Sequence, residues 1–195
     1  MCDTYLIMHP FNVLRRYADV CLVMVGSTRN QEDRDLVQSL QEEARALGIE
    51  SAVSFVVNAP FSVLQGWLGS AQIGLHTMWN EHFGISIVEM MAAGLITVAH
   101  KSGGPLMDLI RPVPVPLSPS LSAPISVNDN DTNTLTTGYL ATTAEEYAAC
   151  MGTALDSYPL SLPLRERARA ASMRYSDESF SAVVVREFRG ILSSL

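Results

Sequence analysis

The chain has 195 residues, 48% hydrophobic and 17% charged, with a formal net charge of −7 at pH 7. That length and content fit one globular domain with a sizeable core and exclude a disordered chain. The acidic balance argues against a nucleic-acid surface, so no nucleic-acid partner is expected.

The three cysteines, Cys2, Cys21 and Cys150, are odd in number and widely spaced, and they read as reduced thiols. His9, His76, His82 and His100 show no zinc spacing, so no metal is expected. No apolar run approaches the ~20 residues that span a bilayer, and the N-terminus lacks a basic segment followed by an apolar one.

Residues 1–19 form no clear element and are expected to be a remnant or a poorly defined segment. Residues 20–25 read as a buried strand, β-branched and apolar. Gly26, Ser27, Thr28, Arg29 and Asn30 turn it into a helix over 31–47, in which Leu36, Val37, Leu40, Ala44 and Leu47 recur at helical spacing. Gly48 ends that helix. Residues 53–57 are the next strand. Residues 61–68 are a short helix expected to pack Phe61, Leu64, Trp67 and Leu68 inward.

Strands alternating with helices in steps of this length predict parallel strands joined by right-handed crossovers, an α/β Rossmann-like sheet. Ligands of such sheets sit at the carboxyl ends of the strands. Gly26, His76, Lys101 and the loop bearing Glu81 fall there.

Residues 75–105, LHTMWNEHFGISIVEMMAAGLITVAHKSGGP, organise the chain. Residues 73–77 and 96–100 are apolar enough for buried strands. Residues 84–93 are apolar on nearly every face, which suits a helix buried against the sheet, and Gly94 supplies a left-handed stop. Ser102, Gly103, Gly104 and Pro105 open another helix. Glu81 lies in the loop and Glu89 on the second helical turn. Between them Phe83, Gly84 and Ile85 bring backbone amides to a helix start, a natural phosphate site. Because Glu89 sits in so apolar a helix, its carboxylate is expected to need a partner.

Residues 111–136 contain five of the ten prolines and read as a long extended loop. The Asn130-Asp131-Thr132 sequon within it reads as a chance match. Residues 138–141 are an edge strand. Thr143 caps a helix with Glu145 and Glu146 in its first turn. Two further helices follow over 163–175 and 176–195. The last carries Phe180, Val183, Val184, Phe188, Ile191 and Leu192 on one stripe, part of which is expected to be exposed.

Glu81 and Glu89, with seven residues between them and Phe83-Gly84 after the first, resemble the signature of retaining GT-B glycosyltransferases. The longer string HTMWNEHFGI with MAAG and HKSGGP is narrower. Together with VGSTRN, LGIESAVSFVVNAPF and RARAASMRYSDESF, it resembles the GDP-mannose-dependent α-1,2-mannosyltransferase family that extends the dolichol-linked oligosaccharide.

The resemblance implies that residues 20–195 are the C-terminal, donor-binding half of a GT-B enzyme, with 111–136 as an insertion. It implies Glu81 as the catalytic group at the mannosyl unit. It also implies donor contacts from Gly26, Ser27, Arg29, His76, Phe83, Gly84, Ile85 and Glu89, the last on the ribose hydroxyls. The donor substrate would be GDP-mannose, with no cofactor, and the acceptor a dolichol-linked oligosaccharide held by an N-terminal domain outside this chain. Other mannosyltransferases of the pathway are further partners, and the place of action is the cytosolic face of the endoplasmic reticulum membrane. The family's Arg and Lys phosphate clamp has no convincing copy in residues 1–19, so the chain alone is expected to be inactive. The alternatives are an inactive nucleotide-sugar-binding fragment or a retaining glycosyltransferase with a different donor.

Overall fold

The computed structural model describes residues 8–10, 17, 19–114 and 134–193. In chain order its elements are β1 (Leu22–Gly26), α1 (Gln31–Ala46), β2 (Val53–Val57), α2 (Phe61–Ser70), β3 (Ile73–His76), α3 (Ile85–Ala93), β4 (Ile96–His100), a π-helical turn (Pro105–Leu109), β5 (Pro112–Pro114), β6 (Thr134–Thr136), β7 (Tyr139–Ala141), α4 (Ala144–Asp156), α5 (Leu162–Ser172) and α6 (Asp177–Ser193), with short 3-10 turns between them.

Local chemistry sets the helix ends. The Asn30 side chain accepts from the Asp33 amide at the start of α1. Thr143 and Glu146 satisfy each other's backbone in a capping box at the start of α4. Gly94, at φ 84°, closes α3 in the left-handed conformation.

The α/β architecture is as the sequence predicts, but the parallel strands fall into two sheets. β1 pairs β2, Leu22 opposite Val53. β3, β4 and β7 form a second sheet, with Ile73 opposite Ile96 and Val98 opposite Tyr139. The ends of the Pro-rich segment pair antiparallel as β5 and β6. Residues 115–133, including the sequon, lie outside the described residues.

The three-stranded sheet is covered on both faces. Ile96 and Val98 of β4 pack with Tyr147, Met151 and Ala154 of α4. Ala99 points the other way, into a core with Ile87, Val88 and Met91 of α3. This is the period-2 alternation of a strand between two helical layers. α5 joins the layers, with Leu164 in one core and Ala168 in the other. The β1–β2 pair has a smaller core of Met8, Leu40, Ala44, Ile49 and Val53.

A cleft of about 810 Å³ separates β1 from β3, and several positions depart from the sequence reading. The first strand runs 22–26 and is half-exposed; among the described residues no third strand pairs its outer edge. Phe61 and Trp67 of α2 are exposed rather than packed inward, while Leu64 and Leu68 are half-buried. Leu36 of α1 faces solvent, leaving Leu40 and Ala44 as the buried stripe. The stripe on α6 is more exposed than expected: Phe180, Val183, Phe188, Ile191 and Leu192 all face solvent.

Candidate functional site

Parallel pairing of β3 and β4 sets His76 beside Ala99 at the carboxyl ends of the strands. The loop leaving β3 is then held from the loop leaving β4. The Ser102 hydroxyl accepts from the Asn80 amide at 2.8 Å and lies 2.9 Å from His100 Nδ1. The Gly104 amide donates to the Glu81 carbonyl at 2.7 Å.

Two glycines make this closeness possible. A Cβ on Gly103, which has φ +52°, would stand 2.2 Å from the Glu81 carbonyl oxygen, and one on Gly104 would stand 2.4 Å from that of His82. The sequence reading took Ser102, Gly103 and Gly104 as helix openers and missed this clamp. Pairs of glycines in front of a helix are the only signal it leaves in the sequence.

The Glu81 side chain is mostly buried, with Oε2 3.6 Å from His76 Nε2 and Oε1 3.4 Å from the Phe83 amide nitrogen. At 3.6 Å the imidazole contact is too long for a direct hydrogen bond. Burial pushes the His76 pKa below the usual imidazole range; Glu81 opposes that shift and His100 adds to it. A neutral ring therefore faces Glu81. His76 Nδ1 is buried with no hydrogen-bond partner among the described residues. A bare lone pair there costs less than an unmade N–H, so the proton belongs on Nε2, towards Glu81. The Tyr147 hydroxyl donates to the His76 carbonyl at 3.1 Å and ties the end of β3 to α4.

Next comes the start of α3. Gly84 is its N-cap at φ 90°, a left-handed conformation, with no side-chain cap. The amides of Ile87 and Val88 reach back to the Gly84 carbonyl. The amides of Gly84, Ile85 and Ser86 have no acceptor among the described residues. Phe83 meets the Tyr175 ring edge-to-face at 5.1 Å. Of the three amides expected to face a ligand, Gly84 and Ile85 are open and Phe83 is turned towards Glu81.

Glu89 lies about one turn beyond Ile85. It is exposed, has no hydrogen-bond or ion-pair partner among the described residues, and lines the cleft between β1 and β3. The expectation that it needs a partner is corrected: α3 buries Ile87, Val88, Met90 and Met91 but turns Glu89 to solvent, where water satisfies it.

Gly26 ends β1, Ser27 and Arg29 follow it, and all three are exposed. Arg29 Nε bonds Asp33, on the helix that follows, at 3.1 Å, and Thr28 pairs with Asn58 after β2. Among the described residues, none of their hydrogen bonds or ion pairs reaches the Glu81 loop. The structure therefore unites His76, Glu81, Phe83, Gly84 and Ile85, with Glu89 on the same helix, and leaves residues 26–29 apart.

Among the described residues no three His, Cys, Asp or Glu side chains gather as a metal site. Among them, too, no helix is long and apolar enough to cross a membrane.

The chain is 41% identical over 160 residues to the human protein named GDP-Man:Man(3)GlcNAc(2)-PP-Dol alpha-1,2-mannosyltransferase, covering 82% of this chain and 29% of that one. It is 43% identical over 162 residues to the protein of that name from Xenopus tropicalis, covering 83% and 29%. The chain thus spans under a third of the length of these curated relatives.

Among solved structures it superposes on the C-terminal domain of a glycosyl transferase group 1 family protein from Francisella tularensis, with TM-score 0.65, 18% identity, and coverage of 89% of this chain and 80% of that one. It also superposes on Anabaena HepE in complex with UDP-glucose, with TM-score 0.67, 21% identity, and coverage of 99% and 46%. At such identities the likeness is one of fold, that of a GT-B half. Residues 6–112, more than half of the chain, match the family described as Glycosyl transferases group 1. The chain belongs to the group 1 glycosyl transferases.

Proposed function

We propose that the chain is the donor-binding part of an enzyme that moves mannose from GDP-mannose to a dolichol-pyrophosphate-linked oligosaccharide in α-1,2 linkage. Transfer proceeds with retention and without a metal, on the cytosolic face of the endoplasmic reticulum membrane. The donor and acceptor follow the names of the relatives at 41% and 43% identity. The observation that carries the reading is Glu81 clamped beside a helix start whose amides at residues 84–86 are open.

Breaking the sugar–phosphate bond leaves charge on the diphosphate. Fixed amides at a helix start stabilise that charge as it develops. The sugar gains oxocarbenium character, which a carboxylate at Glu81 steadies while holding a hydroxyl. Neutral His76 stands beside that carboxylate without cancelling its charge. Glu89, facing the cleft, accepts from the ribose hydroxyls, and residues 26–29 approach the nucleotide from β1.

The acceptor is held by a second domain. Positioning of two reactants accounts for about 7–11 kcal/mol of a barrier, so the 195 residues alone bind donor without measurable transfer.

Calorimetric titration of the chain with GDP, UDP and ADP tests the donor, with GDP expected to bind tightest. Tightest binding of UDP would favour a related transferase with another donor, a reading kept open by the UDP-glucose complex of HepE. Mannose transfer by the full-length protein from GDP-mannose to a lipid-linked acceptor tests the reaction.

A further inference from the structure

The helix that carries the site is open at its front and sealed at its rear. An α-helix ends with its last four carbonyls unpaired, and in α3 every one of them is satisfied. The Met90 and Met91 carbonyls accept from the backbone amides of Leu95 and Gly94. The Ala92 and Ala93 carbonyls accept from Nε and Nη2 of Arg169, at 3.1 and 2.9 Å. One residue on, the Gly94 carbonyl accepts from Arg165 Nε at 2.6 Å.

Both arginines come from α5, one turn apart, and their cations face the negative end of the helix dipole. Gly94 leaves the room, since a Cβ there would stand 2.1 Å from Arg169 Nη2. The same arm reaches the front of α3. In the 3-10 turn that follows α5, Tyr175 packs its ring on Phe83 and donates its hydroxyl to the Asp108 carbonyl at 3.1 Å. One segment, residues 162–175, therefore grips α3 at both ends.

We propose that Arg165 and Arg169 are positioning residues of the donor site, fixing α3 along its axis so that the amides of residues 84–86 stay at the donor diphosphate. The proposal rests on the donor-binding reading of those amides. α3 is nine residues long, short enough to move as one body. A shift at its rear is therefore a shift at its front. Arg169 is solvent-exposed, so its effect comes more from the forked geometry of its two bonds than from its charge.

The test uses the 195-residue chain with Arg169→Met, Arg169→Lys and Arg165→Met. Amide resonances of residues 84–86 are recorded without ligand, and GDP and guanosine are titrated separately. Arg169→Met is expected to shift those resonances and to weaken GDP about tenfold while guanosine changes less than about twofold, because the misplaced amides face phosphate. Arg169→Lys, which keeps a cation but loses the fork, falls between Met and wild type.

A lower melting temperature with unmoved resonances and an unchanged GDP-to-guanosine ratio would reduce the arginines to a structural role and overturn the proposal. If Arg169→Met fails to fold, Arg169→Lys is judged by the same readouts. If the wild type binds no GDP, the donor reading falls, and the ligand-free resonances alone decide whether the arginines set the amides.

Discussion

β1 and β4 are both five-residue apolar strands with a parallel neighbour, yet they live in different environments. All five residues of β4 are buried, between strands on both edges and helices on both faces. Among the described residues β1 has one paired edge, and its last two residues are exposed. The difference extends to the helices. α3 buries four side chains, whereas α2, also apolar, buries none. A layered unit of β3, β4, β7, α3, α4 and α5 is complete in itself, and it carries the Glu81 loop. The β1–β2 unit carries residues 26–29 and has one covered face. Catalytic geometry needs rigid support, and in this chain the clamped carboxylate stands on the unit that packing holds from both sides.

The largest expected effect tests that contrast directly. Ile96→Ala in β4, at 0% exposure, should cost about 2–5 kcal/mol through lost burial and the cavity left behind. Val25→Ala in β1, at 38% exposure, should cost under about 1 kcal/mol. Urea unfolding of both variants measures the difference. Equal costs would mean that β1 is buried in solution and that the cleft beside it closes.

The second effect separates chemistry from binding. In the full-length enzyme Glu81→Gln should lower kcat about 10²–10³-fold, as loss of an electrostatic contact to the transition state does elsewhere. Glu89→Ala should chiefly raise KM for the donor. Steady-state kinetics at varied donor concentration distinguishes them, and wild-type turnover in Glu81→Gln would end the catalytic assignment.

The sequence makes much of this legible, and the reasons it stops are physical. The parallel α/β plan, the Gly94 stop, the Thr143 cap and the site loop all follow from local patterns: alternation of elements, a left-handed glycine, a capping box and carboxylate spacing. Periodicity tells which residues favour burial, not whether a second layer or a neighbouring strand exists to bury them. Thus 20–25 and 96–100 read alike, and Phe61 and Trp67 read as core. Glu89 reads as needing a partner because its helix is apolar, yet a helix packed on one side leaves a turn-spaced position facing out. Arg165 and Arg169 escape notice because their partners are backbone carbonyls, which have no letter in the sequence.

Glycine substitutions give the third contrast, one from each unit. Gly103→Ala forces a Cβ into a left-handed residue, 2.2 Å from the Glu81 carbonyl oxygen. It should cost about 1–3 kcal/mol of strain and weaken GDP binding by displacing the Glu81 loop. At Gly26 a Cβ meets nothing within 4 Å, so Gly26→Ala should leave the melting temperature nearly unchanged. Thermal melts and GDP titration of the two variants make the comparison. A harmless Gly103→Ala would show that the loop is not held by the close backbone contact.

The smallest effect is a difference in how the two units respond to acid. His76 belongs to the layered unit, and burial is the main cause of its lowered pKa. Above the unfolded value of about 6.5, neither the folded nor the unfolded chain protonates this ring. As the pH falls through that value the unfolded chain takes up the proton first, so stability declines, and the decline ends below the lowered folded pKa. Asp33 belongs to the β1–β2 unit, and its carboxyl is held low by hydrogen bonds from Arg29. Its contribution is complete above the unfolded carboxylate value of about 3.9 and is lost only as the pH falls through the still lower folded pKa. Because that pair is exposed, salt should weaken its step; the His76 step, set by burial, should persist in salt. Urea unfolding between pH 8 and pH 3, at low and high salt, follows both. His76→Gln should flatten the upper step and leave the lower one in place. Protonation of His76 also draws it towards Glu81, so GDP-mannose turnover by the full-length enzyme should fall as the pH drops through the lowered folded pKa, at the bottom of that upper window. An upper step that survives His76→Gln would assign it to another group and leave Glu81 without a pH-sensitive neighbour.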